Sequence, residues 1–164
     1  MDDISHRLSF TENGMKKFDP HVIEVLGDGN CFFHAICRAY FEPYITGKLN
    51  GEAISRKGIV VKLREEISKR LEDKVGNLTL YETLGKGNIS EFGKLSKEYS
   101  LEKMKKHLNS SEQCGEEVFE LVSTILNKNI FLIDIVNQDV YVTTDIDILY
   151  KTDRSCVVLL YNMV

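Results

Sequence analysis

Apolar residues recur along this chain at two spacings, the two-residue period of strands and the three-to-four-residue period of helices. The first clear run, Val22-Ile23-Glu24-Val25-Leu26, is β-branched and stops at Gly27, which predicts a buried strand. Beyond the polar stretch Asp28-Gly29-Asn30 the period changes. Phe32, Phe33, Ile36, Ala39 and Tyr40 fall at helical spacing, and Pro43 limits that helix. A strand, a tight loop and a helix thus follow one another, with Cys31 at the first turn of the helix.

Further along, Ile59, Leu63, Ile67 and Leu71 recur every four residues and predict a helix from Ser55 to Asp73. Its Arg, Lys and Glu residues read as a solvated face. Pro43 to Ser55 and Gly76 to Ser90 are punctuated by glycine and read as connections. Phe92, Leu95, Tyr99, Met104 and Leu108 predict helical structure from Ser90 to Leu108 with a break near Ser100. A helix from Gly115 to about Asn127 precedes the apolar strand Ile130 to Ile135. Val140 to Thr143 alternates as its hairpin partner across Asn137-Gln138-Asp139. The last strand, Cys156 to Tyr161, is apolar enough to be central and buried on both faces. Residues 1–20 are polar and rich in turn signals, so they read as an arm packed on a domain spanning 21–164.

Composition narrows the classes. At 164 residues, 43% hydrophobic and 28% charged, the chain is long enough for one domain with its own core. A net charge of −4 and the lack of a basic stripe argue against nucleic acid as a partner. Apolar runs are too short for a membrane span, and the first thirty residues lack a signal-peptide core. Cys31, Cys37, Cys114 and Cys156 show neither CxxC spacing nor a nearby histidine pair, so no metal site is predicted. Reduced thiols in a cytoplasmic compartment are the expectation, with no cofactor and a monomeric state.

The glycine-flanked junction carries the chemistry. Gly27-x-Gly29 between a strand and a helix is compatible with a dinucleotide turn, but Phe32 occupies the third glycine position. Asp28 would also push a carboxylate at a pyrophosphate. A buried structural cysteine is the ordinary reading of a lone thiol. It leaves two glycines, an Asp and an Asn beside that thiol unexplained. The preferred reading is a cysteine nucleophile: unpaired N–H groups at a helix start stabilise a thiolate and can hold a developing oxyanion. Asp28 has two readings, a residue that polarises a histidine and an Asx-type turn former.

Asp28-Gly29-Asn30-Cys31 followed by Phe32-Phe33-His34-Ala35-Ile36 resembles the nucleophile motif of the ovarian tumour (OTU) family of cysteine proteases, mostly deubiquitinases. The helix–strand pair from Gly115 to Ile135 resembles a second family segment, with Cys114-Gly115-Glu116 where Trp-Gly-Gly is common. The resemblance extends over roughly Val22 to Val164. It implies an α/β, papain-like OTU fold with a twisted central sheet flanked by helices. It also implies a deubiquitinase that cleaves isopeptide bonds after the C-terminal glycine of ubiquitin. Cys31 would be the nucleophile and Asp28 a further catalytic residue. The backbone N–H groups of Asp28, Gly29, Asn30 and Cys31 would form the oxyanion hole. Partners would be ubiquitin or polyubiquitin, with ubiquitin-like modifiers as further candidates. In a domain of viral or pathogen origin the compartment would be the host cytosol.

A thiol protease needs a base, usually an imidazole within hydrogen-bond reach of the sulfur. None of His6, His21, His34 and His107 fits that role from its place in the sequence. By resemblance the catalytic histidine follows the last central strand, so the expectation is a base beyond Val164. The alternatives are a pseudo-enzyme that binds ubiquitin without cleaving it, and a rearranged topology that uses His6.

Overall fold

The computed structural model describes residues 5–7, 21–83, 100–134, 136–142 and 151–161. Strand β1 (Ser5–Arg7) pairs antiparallel with β2 (His21–Ile23), joining part of the expected arm to the start of the domain. Helix α1 (Cys31–Tyr40) follows the loop, and the short α2 (Glu42–Thr46) starts around Pro43. Pro43 therefore ends one helix and opens the next, because its fixed φ suits a first helical turn. The hairpin β3 (Lys48–Leu49) and β4 (Glu52–Ala53) turns through Asn50 and Gly51, both at positive φ. An Asn-Gly pair is the favoured sequence for such a turn.

Helix α3 (Arg56–Arg70) is capped by Ser55, whose Oγ accepts the Gly58 N–H at 3.2 Å. A second small hairpin, β5 (Lys74–Val75) and β6 (Leu78–Thr79), leads into the single-turn α4 (Leu80–Thr83). Helix α5 (Leu101–Leu108) begins where a break was expected: Ser100 caps it by accepting the Lys103 N–H at 3.2 Å. The expected helix between Ser90 and Tyr99 lies outside the described residues. Helix α6 (Glu116–Leu126) then feeds the main sheet through Asn127 in the left-handed region.

That sheet has β7 (Lys128–Asp134) at its centre, antiparallel to β8 (Asp139–Val142) and parallel to β9 (Ser155–Tyr161). Asp134 ties the β7–β8 hairpin by accepting the Val136 and Asn137 N–H groups, both at 2.9 Å. Those bonds hold its carboxyl below the usual range. The buried Asn129 side chain grips the turn into β9, donating to the carbonyls of Lys151 (2.8 Å) and Arg154 (3.0 Å). Ile130, Leu132, Val157 and Leu159 share one sheet face and are buried. They join Phe33 and Ile36 of α1, Val60 and Ile67 of α3, Met104 and Leu108 of α5, and Val118, Leu121 and Val122 of α6 in one core.

Three expectations are corrected. The run Val22 to Leu26 is a strand only through Ile23, with Ile23 and Glu24 exposed, because its partner β1 is three residues long. The last strand is buried on one face only: Val158 is 58% and Leu160 38% exposed. Its neighbour among the described residues is β7, not the Val22–Leu26 run expected beside Val157–Tyr161, and β2 pairs with β1. The third correction concerns α3, whose charged face was read as solvated. Arg64 in that face is 1% exposed.

The one-sided burial of β9 sets a measurable contrast. Leu159→Ala is expected to destabilise the domain by about 2–5 kcal/mol, the range for a truncated core leucine. Val158→Thr should stay within about 0.5 kcal/mol, as surface changes do. Urea denaturation of the two variants checks both.

Candidate active site

Cys31 is the first residue of α1 and is partly accessible. The loop before it is held by its own aspartate: Asp28 Oδ1 accepts the Asn30 N–H at 2.9 Å, and the Asp28 carbonyl accepts the Cys31 N–H at 3.0 Å. Asp28 is thus a turn former of the Asx type. Two of the four N–H groups expected to line an oxyanion hole, those of Asn30 and Cys31, are engaged within the loop. Asn30 occupies the N-cap position of α1 yet makes no capping hydrogen bond with its side chain.

That side chain is held elsewhere. Arg64, buried on α3, donates from one terminal nitrogen to Asn30 Oδ1 (2.7 Å) and to the Glu112 carbonyl (3.0 Å). Its Nε bonds the Leu108 carbonyl at 2.8 Å and its other terminal nitrogen the His107 carbonyl at 2.8 Å. The guanidinium also lies over the Phe33 ring, 5.0 Å from its centroid. His107 and Leu108 form the last turn of α5, where the negative end of the helix dipole faces the cation. Gly29 completes the contact. A Cβ there would run into the Ser111 carbonyl oxygen and press on the Gln113 nitrogen at 3.2 Å.

On the other side, both ring nitrogens of His34 face residues other than Cys31. Its Nδ1 is 2.7 Å from Tyr44 Oη on α2, and its Nε2 lies 3.5 Å from Asp28 Oδ1. The neutral tautomer with hydrogen on Nε2 suits both neighbours, accepting from the tyrosine hydroxyl and facing the carboxylate with a donor. Burial lowers the His34 pKa from its ordinary value, Asp28 opposes that shift, and Lys57 adds to it. Lys57 Nζ is 4.0 Å from Asp28 Oδ2. Arg56 braces Tyr44, donating to its carbonyl at 2.9 Å and lying 5.4 Å from its ring centroid.

The remaining histidines are elsewhere: His21 starts β2, His6 is on β1 opposite Val22, and His107 is 3.4 Å from Glu112. Among the described residues, no imidazole bonds the Cys31 sulfur. Cys37, two turns along α1, is buried, and burial pushes its thiol up to about 12. All four cysteines are free thiols. An apolar cleft opens beside Cys31, walled by Val25, Phe119, Leu132 and Leu160. Leu159 and Leu160, near the end of β9, thus line the same cleft as Cys31, while Val164 lies outside the described residues. Among those residues, no acidic, histidine or cysteine cluster is arranged to hold a metal ion, and no helix is long and apolar enough to cross a membrane.

No protein-family model matches the chain, and no curated protein does. Among solved structures it is similar to the OTUD1 OTU domain, with a TM-score of 0.50 over 96% of this chain and 79% of that one, at 13% identity. The chain has an OTU-like mixed α/β fold. Sequence reasoning placed Cys31 and Asp28 but missed Arg64, Tyr44 and the segment from Ser110 to Gln113. Ile67 and Leu71, one and two turns beyond Arg64 on the core stripe, were a usable signal for the arginine.

Two tests follow from this geometry. Because the folded His34 takes up a proton less readily than the unfolded chain, stability should fall as pH drops below about 6.5, by at most about 1.4 kcal/mol per pH unit. Above that pH the contribution is fully present. Denaturation of the native chain and of His34→Gln between pH 7.5 and 5 should show the slope only in the former. Gly29→Ala should destabilise by about 1–3 kcal/mol, since a backbone carbonyl cannot step aside as a flexible side chain can. Thermal melting reads that loss.

Proposed function

We propose that this chain is a ubiquitin-directed cysteine protease of the OTU type, hydrolysing isopeptide bonds after the C-terminal glycine of ubiquitin. The observation that carries the reading is Cys31 at the first position of α1, on a loop fixed by Asp28, in an OTU-like fold. The Cys31 thiolate attacks the scissile carbonyl carbon. The C–S bond forms as the carbonyl π electrons move to oxygen. N–H groups of the loop and of the helix start stabilise that oxyanion. Collapse of the tetrahedral species expels the lysine amine, which takes a proton from an imidazolium. Water then hydrolyses the thioester with the imidazole as base. The described residues do not supply that imidazole. No cofactor enters these steps.

A second reading has its own support. The same lack of an imidazole at Cys31 among the described residues favours a module that binds ubiquitin without cleaving it. One experiment separates the two. Ubiquitin with a C-terminal electrophile should label Cys31 and no other cysteine, and Cys31→Ala should abolish the adduct. Adducts that persist in Cys31→Ala overturn the assignment, and ubiquitin binding with no adduct in the native chain favours the binding module.

A further inference from the structure

His34 carries a polar atom that the fold buries and leaves without a hydrogen bond. The residue is sealed from water, and among the described residues its Nε2 bonds to nothing. Buried polar atoms are almost always bonded, so an exception calls for a physical reason. Here Nε2 faces Asp28 Oδ1 at 3.5 Å, and that same oxygen accepts the Asn30 N–H at 2.9 Å. The ring is not free to turn. Tyr44 Oη holds its Nδ1 at 2.7 Å, and Arg56 fixes α2 by donating to the carbonyls of Tyr44 (2.9 Å) and Ile45 (3.0 Å). Lys57 also approaches the carboxylate, with Nζ 4.0 Å from Oδ2, but from an exposed side chain that restrains it weakly.

We infer that His34 is a positioning residue for the loop before Cys31: with its proton on Nε2, it holds the Asp28 carboxylate where Oδ1 receives the Asn30 N–H. The imidazole bonds neither the thiol nor a substrate. It acts through Asp28, so that α2, the ring, the carboxylate and the loop form one connected series. The other neutral tautomer would set a nitrogen lone pair against the carboxylate and drive the loop outward.

The bearing on catalysis rests on the protease reading, whereas the tautomer and the loop contact do not. Two substitutions divide the ring's functions, because a glutamine amide reaches where Nε2 stands and an asparagine amide where Nδ1 stands. His34→Gln keeps a donor for Asp28 and gives up Tyr44, and His34→Asn does the reverse. Hydrogen exchange at the Asn30 amide should be about tenfold faster in His34→Asn than in His34→Gln, as for one lost bond to a charged group. Lys57→Ala should leave that exchange unchanged. Labelling of Cys31 by ubiquitin with a C-terminal electrophile should slow by up to about 10²-fold in His34→Asn, the effect of a small misplacement, and less in His34→Gln. Thermal melting of both variants separates positioning from mere destabilisation: labelling rates should follow exchange at Asn30 and not the melting temperature. Nitrogen NMR shifts of the native ring at neutral pH make the same test without a substitution, and the proton should be on Nε2. A proton on Nδ1 alone overturns the proposal, as does equal Asn30 exchange or equal Cys31 labelling in the two variants. Should the probe label none of these chains, the protease reading fails, while the exchange and ring shifts still decide the role of His34.

Discussion

Arg64, a buried cation with no carboxylate partner among the described residues, sits at the centre of this structure. Moving a guanidinium out of water costs several kcal/mol even after relaxation, so it persists only where its donors are satisfied. Arg64 meets that condition with backbone carbonyls at the end of α5, the carbonyl of Glu112 and one side-chain amide. Hydrogen bonds to a charged group contribute about 1.5–3 kcal/mol each, enough for such a set to offset the desolvation. The geometry of the four acceptors is therefore not free to drift. Helix α3, the end of α5, the segment after it and the loop before Cys31 are fixed relative to one another by a single planar group.

The loop before Cys31 is consequently held from two sides by different chemistry. On the Arg64 side the contacts are to groups that do not titrate, and Gly29 brings the backbone against Ser111 and Gln113 with no room for a side chain. On the other side the aspartate faces a buried histidine backed by a tyrosine, and Lys57 stands at the rim. His34 is three residues from the thiol in sequence, but its Nδ1 is bonded to Tyr44 and its Nε2 faces Asp28 at 3.5 Å, so its position on the same helix does not make it a base. An imidazole must have a nitrogen aimed at the sulfur, and spacing along a helix cannot reveal that aim.

The sequence made much of the frame legible. The helices now seen at 31–40, 56–70 and 116–126 and the strand at 139–142 were visible to within a few residues from their apolar patterns, and the strands at 128–134 and 155–161 from continuous apolar runs, which show a strand but not which of its faces is buried. The hairpin at Asn50-Gly51 was signalled by its turn residues but not read, since strands two residues long have no period to detect. The strand at Val22 to Leu26 failed for the converse reason: β-branched composition describes a preference, and the partner strand decides the length. At the site, Cys31 and Asp28 were legible because loop glycines and a helix onset mark them locally. Arg64 was missed although it stands on the core stripe with Ile67 and Leu71, because the carbonyls that receive its charge lie far along the chain.

That separation bears on the order in which the molecule assembles. The bonds from Arg64 to Asn30, Leu108 and Glu112 close intervals of 34, 44 and 48 residues, whereas α1 and the β7–β8 hairpin rest on near neighbours. Loop closure must be met before distant contacts return anything, so local elements form early and non-local ones late. The backbone before Cys31 reaches its observed shape only once α1, α3 and α5 have docked. Any partial opening that releases α5 undoes it while most of the secondary structure remains. The shape of the loop around Cys31 is thus a property of the whole fold, and a chain can keep most of its helices and strands and still lose it.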